Sequence, residues 1–196
     1  TRRYAFRVIC DQLGLPIAQE RNYYQWSMDL MFGGRDLQKS RIADGKLTAL
    51  VKPIINARRQ DPRDDQISRW LNTSIAGKEI SEAAILAHIR LFFTAGATTT
   101  SDAMSNLFHA LLTHPDAWER CVAEPQIQPQ AIQELLRWNP PVAAQPRFTR
   151  PNAPVVLAGV EIPANTAVLF GIAAANRDPE VFTDPDRFDI SRNSRT

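Results

Sequence analysis

The sequence contains very little cysteine and histidine, and this scarcity excludes several kinds of site. Its two cysteines, Cys10 and Cys121, lie far apart in the chain and have no partners at metal-ligand or redox spacing. The three histidines, at positions 88, 109 and 114, add no second ligand pattern. We therefore expect neither a disulfide framework nor a zinc site.

Long hydrophobic runs and an excess of one charge are missing as well. The longest nearly apolar run covers residues 167–175 and is interrupted by Gly171, so it is too short to span a bilayer. The 23 basic and 21 acidic side chains leave a net charge of +2, without the dense basic stripe that nucleic-acid binding needs. The chain begins at Thr1 without a basic-then-apolar leader. We predict a cytoplasmic fragment with no membrane or nucleic-acid partner.

Proline is scarce in the first part of the chain. Only three of the 14 prolines precede position 115, and the apolar residues there recur at helical spacing. Farther on, two short helices are predicted around residues 117–123 and 130–138, then a hairpin at 155–162 and an extended segment at 166–174. Because no linker or repeat is visible, we predict one domain over residues 1–196 that is mainly α with a small β portion.

The clearest helix is predicted to run from about Ser81, a suitable N-cap, to about Thr113. Its middle, residues 95–100, reads Ala-Gly-Ala-Thr-Thr-Thr and places a flexible residue beside three β-branched ones. Threonine hydroxyls can bond back to carbonyls one turn earlier, and such a stretch can bend or open a helix. The segment indicates either a pocket lined by hydroxyls or a packing seam at Gly96.

Several charged residues give little indication of a function when each is considered alone. Glu134 and Arg137 stand three apart on a predicted helix, which is the spacing of an ordinary surface salt bridge. Arg147 and Arg187 are single basic residues in segments punctuated by proline. Taken alone, each is interpreted as a solvated side chain.

The order of these signals is more specific than any one of them. The chain carries, in this order, Ala95-Gly96-x-x-Thr99-Thr100, Glu134-x-x-Arg137 before Pro140-Pro141, Pro146-Arg147, Ala175-Asn176-Arg177-Asp178-Pro179 and Phe182-x-Asp184-Pro185-Asp186-Arg187-Phe188-Asp189. This series, with residues 8–16 before it, resembles the C-terminal half of a soluble bacterial cytochrome P450. The resemblance implies a partial cytochrome P450 fold, from about the helix E/F region through the I and K helices to the segment before the cysteine loop.

The resemblance also implies the family's chemistry, in which a heme-thiolate monooxygenase inserts one oxygen atom from O2 into a small molecule. Ala95 and Gly96 would widen the groove where oxygen binds, and Leu91 and Phe92 would press on the heme or the substrate. Thr99 would be the catalytic hydroxyl, hydrogen-bonding the bound oxygen and holding a proton-delivering water.

One position of this helix departs from the family pattern. The family usually has Asp or Glu immediately before the threonine, whereas this chain has Thr98 there. A hydroxyl does not supply a titratable proton near neutral pH. Asp102, one turn farther on, is the candidate that would replace the missing acid through water.

The resemblance gives the charged residues of the second half a role together. Glu134, Arg137 and Arg187 match the family's structural triad, a buried network that fixes the heme-binding core and has no chemical role. Arg147 matches the arginine that pairs with a heme propionate, a contact suited to guanidinium geometry.

The resemblance also concerns the substrate and the source of electrons. Val142 and Ala143 resemble the family's substrate wall, and their small apolar side chains favour an apolar small-molecule substrate. A separate ferredoxin-type donor would supply the electrons.

The last departure concerns the iron ligand. The family's loop Phe-x-x-Gly-x-x-x-Cys-x-Gly does not occur before Thr196, and neither Cys10 nor Cys121 sits in such a loop. The chain therefore offers no axial metal ligand, and without a thiolate we expect it to be inactive alone, with heme bound only in the complete protein. The alternative is a catalytically inactive helical remnant that binds a ligand or partner without heme.

Overall fold

The computed structural model describes residues 2–31, 33 and 36–192. The chain divides into two compact units, the first ending at Asp102 and the second beginning at Ala103. None of the helices in the part of the chain that the structure describes combines the length and the hydropathy of a membrane span.

The first unit is almost entirely helical, and side-chain caps mark three of its helix starts. Its elements are α1 (Arg2–Leu13), a 3-10 turn (Ile17–Gln19), α2 (Glu20–Met31), α3 (Leu37–Gln60), α4 (Gln66–Leu71), β1 (Ser74–Ile75), β2 (Lys78–Glu79), α5 (Glu82–Leu91), a π-helical segment (Phe92–Gly96) and α6 (Ala97–Thr113), which continues into the second unit. Asp36, Asp65 and Ser81 accept hydrogen bonds from the backbone N–H groups of the first turns of α3, α4 and α5.

An apolar cluster joins these helices because each contributes one apolar stripe. Its buried members are Phe6, Ile9, Cys10, Leu13, Leu15, Tyr23, Leu47, Val51, Ile55, Ile67, Ile85, Leu86, Ile89, Phe93 and Ala97. A buried ion pair lies beside it: the Arg58 Nε donates to the Asp65 carboxylate at 2.5 Å, and the Arg58 Nη2 donates to the Gly14 carbonyl at 3.3 Å. Gly14 has φ +68°, a conformation that favours glycine.

The second unit combines short helices with small antiparallel sheets. Its elements are the rest of α6, α7 (Pro115–Ala123), a 3-10 turn (Pro125–Ile127), α8 (Gln128–Trp138), β3 (Gln145–Phe148), β4 (Val155–Leu157), β5 (Val160–Ile162), β6 (Ala167–Phe170) and α9 (Ile172–Ala175). A smaller apolar cluster holds the helices, with Ala110, Leu111, Cys121, Ile127, Ala131, Leu135, Phe188 and Ile190 buried.

The strands of this unit pair in two antiparallel ladders. β3 pairs with β6, Arg147 lying opposite Val168, and β4 pairs with β5 in a tight hairpin. Ala158 and Gly159 connect β4 and β5 with φ of 49° and 79°, the positive values that a two-residue hairpin turn requires. The predicted hairpin is therefore confirmed.

The predicted fold class, mainly α with a small β portion, is confirmed. The long helix also runs as expected from a Ser81 cap to Thr113, with an interruption in its middle. The extended segment predicted at 166–174 is shorter than expected, because the alanine-rich residues after Gly171 form a helical turn. The single domain over residues 1–196 stays a prediction.

Candidate functional site

The long helix is interrupted at the position where the sequence predicts that it can bend or open. Residues Phe92–Gly96 form a π-helical segment, called the π turn below, between α5 and α6. A π turn takes an extra residue into one helical turn and is often found at functional sites. Ala95 and Gly96 thus lie in the widened turn, and Thr99 follows in the next one.

Threonine hydroxyls satisfy carbonyls in and beside the π turn. Thr99 Oγ1 donates to the Ala95 carbonyl at 2.6 Å, and Thr94 Oγ1 donates to the Arg90 carbonyl at 2.9 Å. The corresponding bond from Thr98 Oγ1 to the Thr94 carbonyl is longer, at 3.5 Å. Thr99 is only half-buried, so its oxygen can accept a further hydrogen bond while its proton is held by the backbone.

The outer side of this helix presents apolar surface next to the π turn. Leu91 is 57% exposed and Phe92 is 36% exposed, and Ala95 is exposed as well. Exposed apolar side chains beside a widened backbone offer an apolar surface that a ligand could contact. Asp102 is also exposed on α6.

In the second unit, Glu134 and Arg137 form a buried pair on α8. Glu134 is fully buried, and the Arg137 Nε and Nη2 donate to its two carboxylate oxygens, each at 2.8 Å. The remaining Arg137 donors bond to carbonyls of the segment after α9: Nη1 donates to Asn176 and Pro185 at 2.8 Å, and Nη2 donates to Arg187 at 3.1 Å. The pair therefore organises an irregular segment of backbone.

The third charged member of this network differs from the sequence prediction. Arg187 is exposed and contributes its carbonyl, whereas the Arg192 Nε lies 3.3 Å from the Glu134 carboxylate. The Arg192 side chain is 12% exposed, and its Nη groups donate to the carbonyls of Thr183 at 2.6 Å and Asp184 at 3.1 Å. Because the chain turns after Phe188, which is buried, the guanidinium that points back to Glu134 belongs to Arg192.

Two further contacts fasten the same segment to α8. Trp138 Nε1 donates to the Asp186 carbonyl at 2.7 Å, and the Arg177 Nη2 donates to the Trp138 carbonyl at 2.6 Å. The Arg177 guanidinium also lies over the Trp138 ring, 5.6 Å from its centroid. The sequence places Arg177 in the motif Ala175-Asn176-Arg177-Asp178-Pro179 without assigning it a contact, and it gives Arg192 no role, since lone arginines in polar segments give no periodic signal.

The other predicted residues of the second unit lie in and before β3. Arg147 is exposed, and its Nη1 donates to the Pro146 carbonyl at 2.9 Å, with no acidic partner among the residues the structure describes. An exposed guanidinium of this kind has donors left for an anionic group. Val142 is half-buried and Ala143 exposed, just before the strand.

Neither cysteine has the properties of a metal ligand. Burial raises the pKa of the Cys10 thiol to about 12, and nearby Glu20 adds to the effect. Burial also raises the pKa of Cys121. Both thiols are thus kept protonated, and the described part of the chain contains no cluster of three metal-ligating side chains.

Known proteins resemble this chain over nearly its whole length. The family described as Cytochrome P450 matches residues 17–196. The chain is 35% identical to Vitamin D(3) 25-hydroxylase of Pseudonocardia autotrophica over 98% of its own length and 49% of the relative's. It is 33% identical to Steroid C26-monooxygenase of Mycolicibacterium smegmatis, over 95% of the chain and 47% of the relative.

A solved structure is similar over the same extent. The crystal structure of CYP109E1 from Bacillus megaterium in complex with testosterone has 32% sequence identity and a TM-score of 0.86, covering 97% of this chain and 52% of the other. The chain therefore spans about half the length of the relatives it matches.

Proposed function

The chain belongs to the cytochrome P450 family, and from that premise we propose that the complete protein is a monooxygenase that inserts one oxygen atom from O2 into an apolar small molecule. The observation that carries this proposal is the π turn at Phe92–Gly96, with the Thr99 hydroxyl one turn beyond it. A widened turn beside a hydroxyl offers room for a small ligand and a polar group to orient it.

The family uses heme, which supplies the redox chemistry with O2. On the first unit, Ala95 and Gly96 would leave space at the π turn, while the exposed Leu91 and Phe92 would contact an apolar face. On the second unit, Arg147, which has no acidic partner among the described residues, would hold a heme carboxylate through charge-assisted hydrogen bonds. The thiolate that the family supplies to the heme iron would come from a cysteine outside residues 1–196, so the chain alone is proposed to be inactive.

Thr99 is proposed to hold and move protons. Its Oγ1 donates to the Ala95 carbonyl at 2.6 Å, which leaves the lone pairs of the oxygen free to accept from a water molecule. Thr98 replaces the usual acid, and its hydroxyl only reaches the Thr94 carbonyl at 3.5 Å. Asp102, exposed on α6, is the proposed proton source, acting through water.

The relatives and the apolar side chains support the proposed substrate class. The names of two relatives refer to vitamin D3 and to steroids, and a similar structure contains testosterone. Together with Val142 and Ala143, these names support an apolar small-molecule substrate. A ferredoxin-type electron donor and a cytoplasmic location complete the proposal.

The decisive experiment compares the complete protein with residues 1–196. Both are expressed with added hemin, and carbon monoxide difference spectra are recorded. We expect the thiolate-ligated band from the complete protein and none from residues 1–196. A complete protein that takes up no heme would contradict the proposal and favour the alternative, a heme-free helical module that binds a ligand or partner.

The role of Thr99 is tested in the complete protein. Thr99→Ala should uncouple oxygen consumption from product formation, because the hydroxyl that holds the water is lost. Thr98→Asp, which restores an acid at the neighbouring position, should raise turnover if proton supply is limiting. Unchanged coupling in Thr99→Ala would contradict the proton role of Thr99.

A further inference from the structure

The inner side of the π turn is held by aromatic rings from two other helices. Phe93 is the one buried residue of the turn. Its ring stacks on Tyr23 of α2, with centroids 4.8 Å apart and planes at 17°, and on Phe6 of α1, with centroids 6.1 Å apart and planes at 18°. Phe6, Tyr23 and Phe93, called the Phe93 stack below, are each no more than 1% exposed.

The other end of the turn touches α1 as well. A Cβ atom added to Gly96 would lie 3.4 Å from the Ile9 Cδ1, so the backbone of the turn runs directly over that side chain. Packing from α1 and α2 therefore reaches both the first and the last part of the π turn.

The Tyr23 ring, rather than its hydroxyl, makes this contact. Tyr23 Oη is buried and has no hydrogen-bond partner among the residues the structure describes. A buried hydroxyl without a partner lowers stability. A phenylalanine at this position would keep the stacking and remove that cost.

A π turn competes with a regular helix of the same residues. Each residue turns an α-helix by about 100°. If the same residues formed a regular α-helix without the π turn, Thr99 would therefore be rotated by about that angle relative to α5. We propose that Tyr23 is a positioning residue, whose ring acts through Phe93 to hold the π turn and thereby the direction of Thr99. The packing of Tyr23 on Phe93 does not depend on the proposed function, whereas its consequence for oxygen chemistry rests on that function.

The test uses the complete protein and hydrogen–deuterium exchange of the amides in residues 92–99. Tyr23→Leu removes the stacking and should raise their exchange about tenfold relative to the amides of α3, whereas Tyr23→Phe should leave it within about twofold. Phe6→Leu removes the other ring of the Phe93 stack and should raise the exchange of the same amides. It provides a second test if Tyr23→Leu folds poorly. Ile55→Ala, in the same apolar cluster but on α3, is the matched control and should produce no selective rise.

A second measurement separates this inference from the proposed function. In the complete protein with heme bound, Tyr23→Leu should lower the ratio of product formed to oxygen consumed. Tyr23→Phe, which keeps the ring, should leave that ratio at the value of the unchanged protein. Equal exchange in Tyr23→Leu and the unchanged protein, or an equal rise in Ile55→Ala, would overturn the inference. If the unchanged protein binds no heme, the proposed function fails, and the exchange data still decide whether the Phe93 stack holds the turn.

Discussion

In the first unit the π turn rests on apolar packing, with Phe93 buried between helices, whereas in the second unit Glu134 lies at the centre of guanidinium groups and backbone carbonyls. The difference follows from the backbone that each has to hold. A helix satisfies most of its own hydrogen bonds, so it needs only a surface to pack on. The segment after α9 has few such bonds, and its carbonyls need side chains with several donors, which arginine provides.

The largest effect is expected at the centre of the charged network. Glu134→Gln keeps the shape of the side chain but removes its charge, which leaves the buried guanidinium of Arg137 and the half-buried one of Arg192 without a counter-charge. We expect the free energy of unfolding of the complete protein to fall by about 3–5 kcal/mol, measured by chemical denaturation. The control Glu124→Gln removes a surface acid that lies 3.7 Å from Arg120, and should cost under about 1 kcal/mol. Equal effects would contradict the central position of Glu134.

The first unit has a buried ion pair too, and a glycine next to it allows a sharper comparison. A Cβ on Gly14 would lie 2.2 Å from the Asp65 Oδ2, whereas one on Gly77 would meet nothing within 4 Å. Both glycines have positive φ, 68° and 74°. We expect Gly77→Ala to lower the free energy of unfolding by about 1–2 kcal/mol through its backbone conformation alone. Gly14→Ala should lower it by the same amount and, through crowding, by about 1–3 kcal/mol more. Similar melting temperatures for the two variants would show that Arg58 and Asp65 can move away from the added methyl group without loss of stability.

Two arginines of the second unit separate the observed network from the one that the family resemblance implies. Arg192→Ala removes a partly buried, charged hydrogen bond to Glu134 and should cost about 1.5–3 kcal/mol. Arg187→Ala truncates an exposed side chain and should change stability by less than about 0.5 kcal/mol. Denaturation of the two variants of the complete protein measures the difference. The reverse order would return the third position of the triad to Arg187.

The sequence predicts the local features of both regions better than their long-range contacts. The Ala-Gly-Ala-Thr-Thr-Thr segment predicts an opened helix, because helix propensity and hydroxyl bonding are local properties. The Phe93 stack joins residues from α1, α2 and the π turn, and no short spacing encodes it. Arg192 was missed for a related reason, since motif matching depends on order along the chain and cannot show which guanidinium the backbone turns toward Glu134.

The smallest effect, a pH dependence, compares one carboxylate from each unit. Burial opposes ionisation of Asp65, but hydrogen bonds from Arg58 and Ser68 outweigh it and lower the pKa of Asp65. The Ser191 backbone N–H and hydroxyl lower the pKa of Asp189, with burial opposing them. A carboxylate whose pKa is lower in the folded chain adds stability above its unfolded pKa of about 4, and this stability is lost as the pH falls toward the folded value.

Chemical denaturation midpoints, recorded at several pH values between about 5 and 2, therefore measure how much both groups contribute to stability. This range brackets the ordinary Asp pKa. The unchanged protein should lose stability as the pH falls, and Asp65→Asn and Asp189→Asn should each flatten part of that loss. Asp65 should account for more of it, because its carboxylate bonds a buried guanidinium whereas that of Asp189 bonds neutral donors. A larger flattening in Asp189→Asn would mean that the irregular segment of the second unit, rather than the helical packing of the first, is where acid begins to unfold the chain.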